Sequence, residues 1–183
     1  VSALFLIHFN FNPSSNISTM FLIFRPSINF AWYSLILCEP TATQFEKEGK
    51  GYILTAIGAH SGNIPFTAYS ATKSYMEANP DVIQRFTNAV YKGQQFVANN
   101  SAEDIAPLLQ PYFEDISQED MITVVQRYKD IEAWDINPVL EPEALEKLMD
   151  VMALAGQLEE RADYNDIVTT EFAEKAIQTV KFE

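Results

Sequence analysis

Tyr69-Ser70-Ala71-Thr72-Lys73 places a phenol and an ammonium four residues apart. A lysine held beside a tyrosine lowers the phenol's pKa, and that phenol can then exchange a proton while a hydride moves. The same letters contain Ser70-x-x-Lys73, a hydroxyl and an amine at a spacing that suits a nucleophile and its base. A second set, Glu39, Thr41 and Thr43, combines one carboxylate with two hydroxyls. It suits a cationic or hydrogen-bonding small molecule such as an aminopyrimidine. Ser61 and Asn63, on either side of Gly62, offer side-chain and backbone donors, and Trp134 offers a ring for stacking. Each has an ordinary structural role to set against the chemical one. Glu39 can open a helix, Ser61 to Asn63 can form a plain turn, and Trp134 can anchor packing. Tyr69 and Lys73 can be a strand residue and a solvated loop lysine.

Both lysine motifs lack the partners their chemistry needs. Tyr-x-x-x-Lys is the active-site pair of short-chain dehydrogenases, and GYILTAIGAHSGNIPFTAYSATK resembles that family's strand, loop and helix start. Yet Ala56 stands where the family carries its serine, and no glycine-rich dinucleotide turn precedes the motif. Asn79-Pro80 also starts a new helix where the dehydrogenase helix would run on. Ser-x-x-Lys enzymes need a Ser-Asp-Asn or Lys-Thr-Gly partner, which this sequence does not contain. The expectation is a protein without enzymatic activity and without a cofactor. His8 and His60 lie far apart with no cysteine or carboxylate cluster around them, so no metal site is expected.

A formal charge of -13 argues against nucleic acid as a partner, because its phosphates would be repelled. The charge is uneven. Before Cys38 the only charged side chain is Arg25, whereas twenty of the twenty-five acidic residues lie from Glu103 onward. Residues 1–37 have no basic start, no apolar run of spanning length and neither helical nor strand period. Read from Met20, Arg25 and the run to Leu35-Ile36-Leu37-Cys38 loosely imitate a lipoprotein signal, but Leu37 is large where processing wants a small residue. Cys38 is the single cysteine, which excludes an internal disulfide.

The remaining elements are well punctuated. Pro40 to Gly49 reads as a helix, and the apolar run Gly51 to Gly58 as a buried strand. His60 to Asn63 reads as a loop and Ile64 to Ala71 as a second extended segment. Asn79-Pro80-Asp81 opens a helix by capping, ring geometry and charge, with Val82, Ile83, Phe86, Val90 and Val97 as its expected inner side. Ser101-Ala102-Glu103-Asp104 and Ser117-Gln118-Glu119-Asp120 repeat the cap-plus-acid pattern, the second with Met121, Ile122, Val125 and Tyr128 inward. Glu141-Pro142-Glu143 opens a helix that faces Leu145, Leu148, Met149 and Met152 inward and stops at Gly156. A last helix after Thr169 or Thr170 should bury Phe172, Ala176 and Ile177.

From Glu39 to about Ala176 an ordered series of residues resembles the C-terminal half of a substrate-binding protein of an ABC importer. The branch is the nitrate, sulfonate, taurine and thiamine-pyrimidine-precursor type. The series runs through Glu39-Pro40, Glu46-Lys47-Glu48-Gly49-Lys50-Gly51-Tyr52, Ile64-Pro65-Phe66-Thr67-Ala68 and Lys73-Ser74-Tyr75. It continues with NPDVIQRFTNAVYKGQQFV, Ser101-Ala102-Glu103, Val125-Gln126-Arg127-Tyr128-Lys129, Trp134, Asn137-Pro138-Val139 and Ala155-Gly156. The resemblance implies an α/β, partial periplasmic-binding-protein type II fold with a helix-rich C-terminal part. It further implies three stretches: an atypical leader over 1–37, foreign to the fold; a second-lobe and hinge remnant over 38–63; and the first lobe's C-terminal part over 64–183. The expected partners are a small-molecule ligand and permease transmembrane subunits. The membrane is met only through the permease or a lipid anchor on a full-length form, and the setting is extracytoplasmic. Glu39, Thr41, Thr43, Ser61, Asn63 and Trp134 are the candidate ligand contacts.

Overall fold

A computed structural model describes residues 4–10 and 32–182. They form two compact units that alternate along the chain. One, here the mixed unit, runs to residue 62 and takes up 102–133; the other, the helical unit, comprises 63–101 and 134–182. Residues 102–133 group with the early part of the chain.

The mixed unit begins with β1 (Leu4–Asn10) and β2 (Trp32–Cys38), followed by α1 (Thr41–Lys47), β3 (Tyr52–Ala56) and the short α2 (Gly58–Ser61). β1 is the central strand, antiparallel to β2 on one side and to β3 on the other. The expectation that 1–37 lacks strand period is therefore corrected for these residues: LFLIHFN and WYSLILC are both strands. The nearly continuous apolar run Leu4 to Phe9 carries no alternation, so a period of two does not mark it as a strand. The stretch from Met20 to Arg25, on which the lipoprotein reading turns, lies outside the described residues. Opposite β1, Leu6 pairs with Thr55 and Ile7 with Ile53, so Leu54 is an extra residue that bulges β3.

In the helical unit, 64–72 carries no strand, which corrects the second extended segment expected there. Pro65 removes one ladder donor, and no strand edge lies alongside within the segment's own unit, whose elements are all helical. Helix α3 (Lys73–Ala78) starts on Thr72, whose hydroxyl accepts the Tyr75 amide. Then comes α4 (Pro80–Asn99), with Pro80 in its first turn as read from the sequence. Asn79 does not cap α4 with its side chain; its Nδ2 donates back to the Tyr75 carbonyl at 3.1 Å.

The chain returns to the mixed unit with α5 (Ala102–Leu109), a 3-10 turn at Gln110–Tyr112, and α6 (Gln118–Asp130). Ser117 caps α6 as expected, its Oγ accepting the Asp120 amide at 3.1 Å. Met121, Val124 and Val125 are buried on α6, beside Ala102, Ile105 and Ala106 of α5. On the sheet side Leu35, Ala42 and Ala56 form a small core that Leu37, Phe45, Ile53, Tyr128 and Ile131 cover. The helical unit closes with α7 (Pro142–Leu154), α8 (Tyr164–Ile167) and α9 (Glu171–Thr179). Leu145 is buried on α7 and Ala176 on α9, whereas Ile177, expected inward, is exposed.

Candidate functional site

Thr43 and Glu46 stand three residues apart on one face of α1, and Glu39 precedes the helix beside them. Arg127, from the last turn of α6, reaches this face. Its Nη1 donates to Glu39 Oε1 at 3.0 Å and to Thr43 Oγ1 at 2.7 Å, and its Nη2 donates to Glu46 Oε2 at 2.5 Å. The other oxygen of Glu39 accepts the Thr43 amide at 2.9 Å, satisfying one of the donors left open at the start of α1. Glu46 Oε1 accepts the Ile53 amide at 3.1 Å, which ties the helix to β3. One guanidinium thus joins α1, β3 and α6.

The electrostatics follow from this geometry. Burial opposes the charge on Arg127, but its hydrogen bonds to Glu46 and Glu39 outweigh that cost and hold the guanidinium above its ordinary pKa. Burial likewise pushes the Glu46 carboxyl up, and the Ile53 amide and Arg127 together pull it below its usual range. Burial, joined by the nearby Glu39 charge, pushes the Tyr128 phenol up to about 12. A second bridge between the same helices, Lys47 Nζ to Asp120 at 2.8 Å, is exposed. The Asp120 carboxyl is held low by the Lys47 and Ser117 hydrogen bonds.

Of the sequence candidates, the structure therefore joins Glu39 and Thr43 through Arg127. The Glu39 side chain is 0% exposed, so its carboxylate serves the helix start and the ion pair. Thr41 is exposed in the first turn of α1. Ser61 is half-buried at the end of α2, where a loop was expected, and its hydroxyl donates to the Gly58 and Gly62 carbonyls. Asn63 and Trp134 are exposed in the helical unit. Tyr69 stacks edge-on against Phe86 with 4.8 Å between ring centroids, and Lys73 opens α3. Among the described residues no hydrogen bond joins Tyr69 to Lys73.

Sequence reasoning missed Arg127 and Glu46 as partners. The signal was present in the two carboxylates and one hydroxyl repeating at helical spacing, a stripe that calls for a cation from another element. A shallow, open depression of about 510 Å³ lies in the helical unit, lined by Tyr164, Thr170, Glu171, Glu174, Lys175 and Gln178 among others. Among the described residues no group of three His, Cys, Asp or Glu side chains gathers as a metal site, and no helix is long and apolar enough to cross a membrane.

The chain is similar to a protein of Bacillus subtilis (strain 168) named "Putative binding protein YtlA". The two are 38% identical over 139 residues, which is 76% of this chain. It resembles a binding protein. The match spans 42% of that relative, so more than half of the Bacillus protein has no counterpart here. No protein-family model matches the chain, and no solved structure matches it. A helix-rich architecture with few strands is compatible with part of an α/β fold.

Proposed function

We propose that the chain is part of the solute-binding component of an ABC importer. It would act outside the cytoplasmic membrane and deliver a small organic solute of the sulfonate, taurine, nitrate or pyrimidine-precursor type to permease transmembrane subunits. The observation that carries this reading is the 38% identity, over 76% of the chain, to a protein named as a binding protein. The ordered residues from Glu39-Pro40 to Ala155-Gly156 support the narrower assignment by resemblance. Asn63 and Trp134 of the helical unit keep exposed side chains, as does Thr41 of the mixed unit taken by itself. Glu39 is engaged by Arg127, so a ligand that used its carboxylate would have to compete with that pair.

Thermal denaturation in the presence of taurine, an alkanesulfonate, nitrate or an aminopyrimidine tests the reading. A ligand that binds only the folded chain raises its stability, by about 2.7 kcal/mol at a hundredfold excess over Kd. One class of solute should shift the melt. Absence of any shift with all four classes at millimolar concentration would refute it for this chain.

A further inference from the structure

Helix α4 turns amides, not its apolar stripe, toward its own unit. Its buried residues are Gln84 and Tyr91, and Gln84 Nε2 donates to the Phe172 carbonyl at 2.9 Å. The inner side expected from Val82, Phe86, Val90 and Val97 is thus corrected: Val82 and Phe86 are exposed, and Ile83, Val90 and Val97 are only half-buried. Two neighbouring glutamines further along the helix hold a segment without regular structure. Gln94 Nε2 donates to the Asn137 carbonyl at 3.0 Å and Gln95 Nε2 to the Ile136 carbonyl at 2.6 Å. Asn137 Oδ1 accepts the Val139 amide at 2.9 Å, and the Tyr164 hydroxyl of α8 donates to the Leu140 carbonyl. Between Ile136 and Leu140, side chains therefore fix three carbonyls and one amide, and the ring of Pro138 locks a fifth point of the backbone.

Irregular connections ordinarily leave such groups to water and lose their freedom only on binding. Here the ordering is complete in the free chain. The side chains carried on this backbone are not turned inward: Ile136 is 64% exposed and Trp134 37%. Between them stands Asp135, exposed, with no hydrogen bond or ion pair to another described residue. A connection that only joined α6 to α7 would gain stability by burying the isoleucine and the tryptophan. A backbone fixed from α4 and α8 that carries an exposed ring, a carboxylate and an aliphatic side chain in succession has the make-up of a preformed recognition loop.

We infer that 134–136 recognises a flat heteroaromatic ring that bears an amine, and that Gln94 and Gln95 are its positioning residues. Trp134 stacks on the ring, Asp135 accepts a hydrogen bond from the amine, and Ile136 covers an edge. Nitrate and sulfonates fit poorly, because Asp135 repels an anion and no lysine or arginine stands between Glu132 and Leu140. The inference rests on the solute-binding reading proposed above and narrows it to the aminopyrimidine class.

The test is calorimetric titration of the full chain with 4-aminopyrimidine, taurine, methanesulfonate and nitrate. The aminopyrimidine should bind and the other three should not. Trp134→Ala should weaken its binding by about tenfold or more, Trp134→Phe by less, and Asp135→Ala should weaken it as well. Gln94→Leu combined with Gln95→Leu should weaken it by about tenfold. In a Trp32→Phe background the same pair of changes should speed the anisotropy decay of Trp134 fluorescence, a signature that a loss of helix stability alone would not produce. Trp134→Ala, at an exposed position, carries the test should the glutamine variant not fold. Aminopyrimidine binding that Trp134→Ala leaves unchanged would overturn the inference, and an unchanged anisotropy decay would overturn the role of Gln94 and Gln95. Binding of taurine, methanesulfonate or nitrate without the aminopyrimidine would overturn it too, while leaving the solute-binding reading in place. No binding of any of the four would overturn both.

Discussion

The mixed unit and the helical unit solve the same problem differently. The mixed unit buries branched and sulfur-containing side chains, with Met121, Val124 and Val125 of α6 against α5 and the Arg127 cluster holding α1 to α6. Among the described residues the helical unit buries fewer apolar side chains, Ile64, Tyr91 and Leu145 beside Ala144, Ala173 and Ala176, while Phe66, Phe86, Phe96, Ile136 and Leu154 stay exposed. A smaller buried set removes less apolar surface from water and contributes correspondingly less to stability. The contrast teaches that helical content says little about where stability resides.

The largest expected effect breaks the mixed unit alone. Arg127→Ala leaves the buried Glu39 carboxylate without its partner and should cost about 3 to 5 kcal/mol in denaturant unfolding. Arg127→Lys should recover only part, since an ammonium cannot fork to two carboxylates and a hydroxyl at once. A cost below about 1 kcal/mol would mean that solvent already screens the pair as it does at an open surface.

Packing gives the next comparison. Met121, 2% exposed, should cost about 2 to 5 kcal/mol on substitution by alanine. Phe86→Ala removes a larger side chain, yet at 47% exposure it should change the stability of this chain by only about 0.5 kcal/mol. Comparable losses at the two positions would erase the distinction between the units.

Acid sharpens the comparison further. Glu46 and Asp120 are held below their ordinary values of 4.5 and 3.8, so the unfolded chain takes up protons first as pH falls. Their contribution is fully present above those values and is lost as pH drops through the lower, folded-state pKa values. Circular dichroism melts between pH 6 and about pH 2.5 should show this loss, and Arg127→Met should flatten the slope that Glu46 contributes. An unchanged slope in that variant would assign the acid sensitivity to other carboxylates.

The smallest effect concerns helix ends. α1 and α7 both close through a glycine of positive φ, Gly49 at 68° and Gly156 at 67°. After α6 the equivalent position is Glu132 at φ 51°, with the Ala133 amide bonded back to the Tyr128 carbonyl at 2.9 Å. A side chain in this conformation costs about 1 kcal/mol, so Glu132→Gly should stabilise the chain by roughly 0.5 kcal/mol after the entropy of the unfolded glycine is counted. A lowered melting temperature would show that the glutamate side chain makes a compensating contact.

These elements were legible in the sequence to different degrees. Ser117, Pro80, Pro142 and Gly156 marked their helix ends because caps and breakers act within one turn. The strands Leu4–Asn10 and Trp32–Cys38 escaped because neither stretch alternates apolar and polar residues. The outer face of α4 was read as inner for a related reason: periodicity identifies the apolar side of a helix but not what lies against it. Among the candidate ligand residues, the helix-start role of Glu39 could be read locally. Its partner Arg127, 88 residues further on, could not.

That separation has a consequence for synthesis. The mixed unit is interrupted by 63–101, and the helical unit by 102–133, so neither has all its parts until the chain is mostly made. At roughly 5 to 20 residues per second, the 88 residues between Glu39 and Arg127 take about 4 to 18 s to emerge. Through that interval the Glu39 carboxylate has no Arg127 to pair with, so the contact that ties α1 to α6 is among the later ones the growing chain can make.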